Sequence, residues 1–292
     1  MMENILFIIN PVAGTRTKQD IPSIIKKELG SQYKFKIVNT LRAGHASELV
    51  KENIKSYKYF VAVGGDGTVN EVASALVNTD GVLGIIPLGS GNGLARHLNV
   101  PLNIRKAVKV FNGKFDIERI DTCEVNDIPY FMTSGVGFEA EIAKRFSIAD
   151  GRGFYTYFKS SVKALKNYSP RIFNIEVDGK KFEVKALTLS AANSSQYGNN
   201  TFINPLADVQ DGLLDLCILE PIPWYVSLGV LRRMFTKSIH KSSYYQLIRG
   251  KHITVKGDTE VFHFDGECTT NQRKDLEFKL IPSSLNVMIL GS

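Results

Sequence analysis

Cysteine is scarce in this sequence, and its three copies, Cys123, Cys217 and Cys268, are widely separated and never form a CxxC spacing. An odd number of distant cysteines argues against a disulfide framework, and the missing pairs argue against a zinc site. We therefore expect all three cysteines to lie in the core as small apolar side chains.

Long apolar runs are also missing. No stretch approaches the roughly 18 to 20 residues that span a bilayer, and the opening segment MMENILFIINP is too short and lacks the basic start of a signal peptide. Internal repeats and low-complexity segments are absent as well. The missing membrane span and signal peptide predict a cytoplasmic protein.

The charge balance is the first positive signal. A net charge of +7 and a pI near 9.1 favour an anionic partner, which could be a nucleic acid, a nucleotide or an acidic membrane. The sequence contains neither an RNP1 motif nor a C2H2 spacing, so we expect no nucleic-acid partner. A length of 292 residues, 43% of them hydrophobic, fits two domains better than one.

The first third of the chain alternates short apolar runs with amphipathic segments. This pattern predicts βαβ units, a parallel sheet and helices on both faces, so the first domain should be doubly wound. The expected strands lie at 5–9, 34–40, 59–63 and 82–89, and the expected helices at 21–29, 46–54, 68–77, 93–98 and 103–111.

The pattern changes near residue 115, where alternating strands and an Asp178–Gly179 turn signal indicate hairpins. Helical segments interrupt them at 153–168 and 223–235. The second domain should therefore be mainly antiparallel β-structure.

The run YFVAVGGDGTVNEVASALV places the glycines of GGDGT, residues 64–68, in a strand-to-helix turn. In an open α/β sheet this turn lies at the carboxyl edge, where helix-terminal N–H groups attract phosphate and glycine lets phosphate approach the main chain. Asp66 would repel phosphate unless a divalent cation lies between them, so it implies Mg²⁺. A tight turn in which the aspartate only caps the helix is the alternative.

Neither a Walker A loop nor GxGxxG is present, so neither standard nucleotide fingerprint applies. Two more glycine-containing loops, NPVAG at 10–14 and LGSGNG at 88–93, follow other strands of the same predicted sheet. Three such loops at one edge favour a binding site over an isolated turn.

In their order and spacing, NPVAG, GGDGTVNE and PLGSGNGLARHL resemble the motifs of the diacylglycerol kinase catalytic family, which includes soluble bacterial lipid kinases and sphingosine and ceramide kinases. The resemblance continues through GVGFEAEI, DGLLD and FDGE. It implies a doubly wound α/β domain that binds ATP, residues 1–121 and 283–292, and an antiparallel β-sandwich that binds lipid, residues 122–282.

The resemblance also implies a set of site residues. Those for ATP are Asn10, Thr40, Gly64, Gly65, Asp66, Gly67, Thr68, Val69, Asn70, Gly89 and Ser90. Asp66 and Asp121 would organise the catalytic Mg²⁺ through water. Asp211, with carbonyls of Asp208 and Leu213, would hold a structural Mg²⁺, although a simple Asp-Gly turn also explains this step.

FDGE would supply a catalytic carboxylate from Asp265 or Glu267. We prefer Asp265 as the base because aspartate is the usual proton acceptor of kinases that phosphorylate alcohols. The sequence departs from many bacterial diacylglycerol kinases at Gly93 and Glu139, where aspartate is common.

The expected function is ATP- and Mg²⁺-dependent transfer of a phosphoryl group to a lipid hydroxyl, with diacylglycerol as the first candidate. A sphingoid-base or ceramide kinase, an NAD kinase and a non-catalytic binding protein of the same fold are the alternative functions. A homodimer is one possible oligomeric state. Because its substrate lies in a membrane, we expect the protein to work peripherally at an anionic membrane surface.

The segment 221–245 mixes aromatic and aliphatic side chains with arginine and lysine. This composition suits an interfacial helix on anionic lipid. An amphipathic helix that only packs on the β-domain is the competing interpretation.

Overall fold

The computed structural model describes residues 3–14, 20–113, 115–148, 165 and 168–291. It divides the chain into an α/β unit, residues 1–120 with 283–292, and a β unit, residues 121–282. We expected Asp121 in the first domain, but it falls in the β unit, where its N–H donates to the Val209 carbonyl at 2.6 Å.

The α/β unit begins with a regular alternation of strands and helices. Its elements are β1 (Glu3–Ile9), α1 (Ile21–Glu28), β2 (Tyr33–Asn39), α2 (His45–Asn53), β3 (Tyr59–Gly64), α3 (Asp66–Leu76), β4 (Val82–Pro87), α4 (Gly93–His97) and α5 (Ile104–Val110). The strands are parallel in the order β2-β1-β3-β4. Asp20 caps α1 by accepting from the Ser23 N–H at 3.2 Å, as its position before Pro22 predicts.

Helices cover both faces of this sheet. Apolar residues of α1 and α5 pack against one set of alternate strand residues, which includes Phe7 and Val61. The other set of alternate residues includes Phe60, whose side chain lies near that of Leu76 of α3. Helix α2 packs beside α3. The predicted doubly wound architecture is confirmed.

The β unit consists mainly of antiparallel strands. Its elements are β5 (Phe115–Val125, entering from the α/β unit), β6 (Ile128–Tyr130), β7 (Thr133–Gly137), α6 (Phe138–Ile148), β8 (Arg171–Val177), β9 (Lys180–Ala186), β10 (Thr188–Ala192), β11 (Leu214–Leu219), α7 (Ser227–Phe235), β12 (Tyr245–Gly250), β13 (His252–Gly257), β14 (Val261–Phe264), β15 (Glu267–Thr270) and β16 (Asp275–Leu290). The first part of β16 pairs with β13, and its last part pairs in parallel with β4 of the α/β unit.

Two sheets of the β unit face each other. One runs β16-β13-β8-β9, and the other runs β12-β11-β10-β7-β14-β15. Side chains of both sheets, such as Phe173 and Phe278 from the first and Val136 and Phe262 from the second, share one apolar core. The predicted antiparallel β-sandwich is confirmed.

Three local expectations have different outcomes. The Asp178–Gly179 turn joins β8 to β9, with both residues at positive φ. Cys123 and Cys217 are buried, but Cys268 is only partly buried because it lies on the edge strand β15. The helix expected at 153–168 lies almost wholly outside the described residues.

Within the described part of the chain, every helix is too short or too polar to cross a membrane.

Candidate functional site

Three loops leave neighbouring parallel strands at the carboxyl edge of the α/β unit. The first begins at Asn10, whose N–H donates to the Val63 carbonyl at 3.0 Å. The second carries the GGDGT glycines, and the third begins at Leu88, whose N–H donates to the Gly64 carbonyl at 2.8 Å. Strand pairing thus brings the three sequence-predicted loops together.

The glycines are needed because two of these loops contact each other. A Cβ on Gly89 would lie 2.8 Å from the Gly65 Cα, and a Cβ on Gly91 would lie 2.7 Å from an oxygen of the Asp66 carboxylate. A Cβ on Gly64 would overlap the Thr68 side chain. The missing side chains therefore allow close packing within the protein as well as any approach of phosphate.

Asp66 joins the second loop to the third. It is the first residue of α3, and its two carboxylate oxygens accept the N–H groups of Asn92 at 2.9 Å and Gly93 at 2.7 Å. Burial raises the pKa of Asp66, and these two N–H groups act in the opposite direction. The carboxylate therefore holds the second and third loops together, a structural role that we did not predict when we assigned Asp66 to magnesium.

Asn10 and Thr68 connect the first loop to the start of α3. The Asn10 amide donates to the Thr68 hydroxyl at 3.1 Å, while its oxygen accepts from the Val12 N–H at 3.1 Å. Thr40, at the end of β2, is buried and donates its N–H to the Ile9 carbonyl at 2.8 Å. Asn10 thus lies at the first turn of α3, where the N–H groups have no partner within the helix.

The other residues predicted to bind ATP differ in their exposure and in their hydrogen bonds. The Val69 side chain is buried, so only its main chain is suited to a polar ligand. Asn70 accepts from the Ser74 hydroxyl at 3.3 Å one turn along α3. Gly67 is half-buried and Ser90 is exposed.

Glu71 has a role that the sequence interpretation missed. Its carboxylate accepts the N–H groups of Gly44 at 2.8 Å and Ala46 at 3.0 Å, so α3 supplies the cap of α2. The signal was available, because Gly44 provides no capping side chain and GGDGTVNE ends with this glutamate.

Asp265 and Gly266 form the two-residue turn between β14 and β15. Both have positive φ, which is the geometry of a type I′ hairpin turn. The Asp265 carboxylate is buried and accepts the N–H groups of Phe131 at 3.0 Å, Met132 at 2.8 Å and Thr133 at 3.3 Å. Glu267 begins β15 and is exposed.

Asp121 lies beside the loop that we expected to hold a structural cation. It is buried, and its carboxylate accepts the Gly212 N–H at 2.8 Å. In the same loop, Asp208 accepts from the Gln210 N–H and Asp211 from the Leu213 N–H, each at 3.0 Å. These local bonds are the pattern of Asx turns.

Arg249 is a cation already present at this loop, and the sequence interpretation missed it. Its guanidinium lies 3.5 Å from the Asp211 carboxylate and 2.9 Å from that of Asp215. Burial raises the pKa of Asp215, whereas the hydrogen bond from Asn204 and the charge of Arg249 act in the opposite direction. Asp211 thus has an arginine partner, and the residues here fit a structural Mg²⁺ poorly.

Across the described residues, no three His, Cys, Asp or Glu side chains converge in a way that would hold a metal ion. For the catalytic Mg²⁺, Asp66 fits a role through water better than direct coordination, because both of its oxygens already accept N–H groups. One oxygen of the Asp121 carboxylate likewise accepts an N–H group, that of Gly212.

A buried polar cluster lies on the outer face of the second sheet. The Glu139 carboxylate occupies the space above Gly135 that a side chain would otherwise fill. It accepts from the Tyr197 hydroxyl and lies 3.2 Å from the His263 Nε2. His263 is buried, and it can lie against this carboxylate because the residue opposite it on β7 is a glycine.

Two family models match the chain. The diacylglycerol kinase catalytic domain matches residues 4–125, and the YegS C-terminal NAD kinase beta sandwich-like domain matches residues 133–289. The first contains the three glycine loops, and the second contains the β-sandwich with Asp265 and Glu267.

Relatives are similar over most of the chain. A Yersinia enterocolitica protein named "Probable lipid kinase YegS-like" is 28% identical, covering 97% of this chain and 96% of its own. The protein of Bacillus subtilis named "Diacylglycerol kinase" is 28% identical, covering 75% of this chain and 74% of its own.

Solved structures agree on the fold. A Bacillus anthracis structure described as a diacylglycerol kinase has a TM-score of 0.73 and 21% identity, covering 98% of this chain and 96% of its own. An NAD kinase from Archaeoglobus fulgidus in complex with ATP has a TM-score of 0.50 and 12% identity, covering 99% of this chain and 94% of its own. Both share the two-part architecture described above.

Replacing Gly89 by alanine should lower the free energy of unfolding by about 1 to 3 kcal/mol, because the new methyl group would press against the Gly65 backbone. Urea denaturation measures the change. Gly113→Ala is the control, since its Cβ would meet nothing closer than 3.9 Å, and it should stay within about 0.5 kcal/mol of the parent. Equal stabilities of the two variants would contradict the contact between the loops.

Replacing Arg249 by alanine should cost about 2 kcal/mol near neutral pH, because it leaves the buried Asp215 carboxylate without its guanidinium partner. The folded pKa of Asp215 is raised, so its contribution to stability is present below the unfolded pKa and is lost as pH rises through the folded value. The variant should therefore lose less stability at about pH 4 than near neutrality.

Thermal unfolding at the two pH values tests this difference, with Arg171→Ala as the matched control. Arg171 pairs with Asp258 at 3.1 Å, and both side chains are half exposed, so its removal should have a small effect that changes little with pH. A loss for Arg249→Ala that is the same at both pH values would contradict the assignment.

Proposed function

This chain belongs to the family that joins a diacylglycerol kinase catalytic domain to a YegS C-terminal domain, and on that premise we propose that it transfers the γ-phosphoryl group of ATP to a lipid hydroxyl. Diacylglycerol is the proposed acceptor, and phosphatidic acid is then the product. The acceptor is proposed from the Bacillus subtilis relative, which is named a diacylglycerol kinase.

The observation that carries the proposal is the contact between two glycine loops at the carboxyl edge of a parallel sheet. Asp66 fixes the third loop against the start of α3, so the N–H groups of the first turn of α3 keep a constant position. Phosphate groups bind well at such a helix start, where the N–H groups and the helix dipole favour negative charge. We propose that Gly64, Gly65, Gly67 and Thr68 contribute main-chain groups to the ATP phosphates.

Asn10, Thr40 and Ser90 are proposed to complete the nucleotide site. Asn10 orients the Thr68 hydroxyl through its 3.1 Å hydrogen bond, so changes at either residue should affect the same phosphate contacts. When bound, Mg²⁺ would neutralise charge that develops on the phosphoryl oxygens. Asp66 and Asp121 are the residues proposed to orient its water ligands.

Glu267 is proposed as the group that accepts the proton of the lipid hydroxyl. The sequence favoured Asp265 for this role, but three N–H groups occupy its carboxylate, which then fixes the segment 131–133. Glu267 follows the rigid type I′ turn, and its side chain is exposed. Asp265 is thus proposed as the positioning residue and Glu267 as the base.

The proposed reaction is tested by incubating the protein with labelled ATP and Mg²⁺ in mixed micelles that contain diacylglycerol, a sphingoid base or ceramide, and with NAD in solution. Labelled phosphatidic acid is the expected product. Label in the sphingoid base or ceramide would show that diacylglycerol is the wrong acceptor but that the protein is still a lipid kinase. Label in NAD alone would overturn the lipid kinase proposal.

Glu267→Gln should lower kcat by about 10²- to 10⁴-fold, because it removes a general base while conserving the shape of the side chain. Its melting temperature and its ATP affinity should stay at the parent values. Asp265→Asn should lower kcat and the melting temperature together, because an amide group cannot accept all three N–H groups.

Steady-state kinetics and thermal unfolding of both variants measure the two effects, and Glu260→Gln is a control at another acidic residue of the same unit. The assignment is wrong if Glu267→Gln keeps a near-parental kcat at saturating lipid. A stable Asp265→Asn variant with an unchanged fold would remove the positioning role.

A further inference from the structure

Helix α7 presents an apolar and aromatic surface to solvent. Trp224 and Tyr225, just before the helix, are 76% and 70% exposed, and Leu228 in its first turn is 68% exposed. The two aromatic rings lie edge to face with centroids 6.1 Å apart. We name Trp224, Tyr225, Leu228 and Arg232 the α7 outer surface.

The fold does not require this surface to be apolar. The opposite side of α7 already packs on the second sheet, where Val230 is buried in a cluster with Ile239 and Tyr245. Val226 and Met234, four residues to either side of Val230, are packed against the same cluster. A helix that only packs on the β unit would have polar residues on its outer side, so that interpretation leaves the exposed Trp224 and Leu228 unexplained.

The segment that contains the α7 outer surface carries one sign of charge. Residues 221–245 include no Asp or Glu and four basic residues, Arg232, Arg233, Lys237 and Lys241. Arg232 and Lys237 are exposed, and the Lys237 ammonium lies 4.8 Å from the centre of the Phe202 ring. Aromatic and aliphatic side chains beside basic ones match the interface of an anionic bilayer.

We propose that the α7 outer surface docks the protein on anionic lipid bilayers, with Trp224, Tyr225 and Leu228 inserted at the headgroup level and Arg232 against lipid phosphates. The charge complementarity distinguishes this partner from a second copy of the chain, since two copies of a basic surface repel each other. The inference extends the proposed function by naming the membrane surface, yet docking is measurable without ATP and without turnover.

Trp224 makes the test direct, because it is the only tryptophan of the chain. Its fluorescence should shift to shorter wavelength when phosphatidylglycerol vesicles are added, and lipids brominated in the acyl chain should quench it. Vesicles of phosphatidylcholine alone should produce a much smaller shift, because they lack the negative charge that attracts the basic residues.

Two variants separate the apolar and the charged contributions. Tyr225→Ser with Leu228→Ser, which retains Trp224, should weaken binding to phosphatidylglycerol vesicles by about ten-fold. Arg232→Glu should weaken it by about ten-fold at low salt and by less at high salt, since screening reduces the electrostatic part. Arg233 is left unchanged because it also donates to the Ser238 carbonyl at 3.5 Å.

Ile172→Ser is the matched control, because Ile172 is also an exposed aliphatic residue, at 55%, but lies on β8. It should bind vesicles like the parent, and circular dichroism should confirm that all variants are folded. Vesicle binding by the serine double variant equal to that of the parent would overturn the proposal. So would a fluorescence shift that depends on protein concentration and not on lipid, which would identify a second copy as the occupant.

Kinase assays on a soluble short-chain diacylglycerol distinguish this proposal from the proposed function. Variants of the α7 outer surface should keep the parental rate there while losing vesicle binding. If the parent phosphorylates no lipid but still shows the fluorescence shift, the docking surface stands and the acceptor assignment falls.

Discussion

The hydrogen bonds from Asn92 and Gly93 to the Asp66 carboxylate are the constraint on which the arrangement of the α/β unit's loops depends. The strands alone would end in separate loops at the sheet edge, and glycine-rich loops are conformationally free. By accepting from the third loop, Asp66 fixes that loop against the start of α3. Because Gly65 and Gly89 lack side chains, the second and third loops can approach closely enough for these hydrogen bonds to form.

A glycine and a carboxylate are also combined in the β unit. Gly135 leaves a gap in the row of side chains across the second sheet, and Glu139 of α6 fills it with a carboxylate. Tyr197 and His263 surround that carboxylate, so an acidic group is buried on the outer face of this sheet. Buried polar groups of this kind are costly unless partnered, and they favour a single arrangement of the elements around them.

The architecture was predictable because hydrophobic periodicity reports directly on strands and helices. The Asp20 cap, the Asp178–Gly179 turn and the alternation of the first 110 residues depend on short-range chemistry that is visible in the sequence. The motifs also located the loops of the candidate site. The contacts that hold the loops together are long-range, because Asp66 accepts from residues 26 and 27 positions away, and no local pattern indicates this.

Asp265 and Arg249 show the same limit. An aspartate in a motif suggests chemistry, yet the partners of its carboxylate lie more than 130 residues earlier in the chain. Arg249 pairs with Asp211 and Asp215 only because β12 lies next to β11. Such roles depend on which strands become neighbours, and the periodicity of a single strand does not identify its neighbour.

The long strand β16 has a consequence for how the protein folds during synthesis. Its last part completes the α/β sheet beside β4, where Asn286 donates to the Thr79 carbonyl at 3.1 Å across a sequence separation of 207 residues. Met288 also joins the apolar core of that unit. Until the ribosome has released this segment, the earlier strands have an unpaired, apolar edge at β4, which is a template for misassociation. The α/β unit therefore cannot reach its final stability before the entire β unit has been translated, and the nascent chain has to protect that edge in the interval.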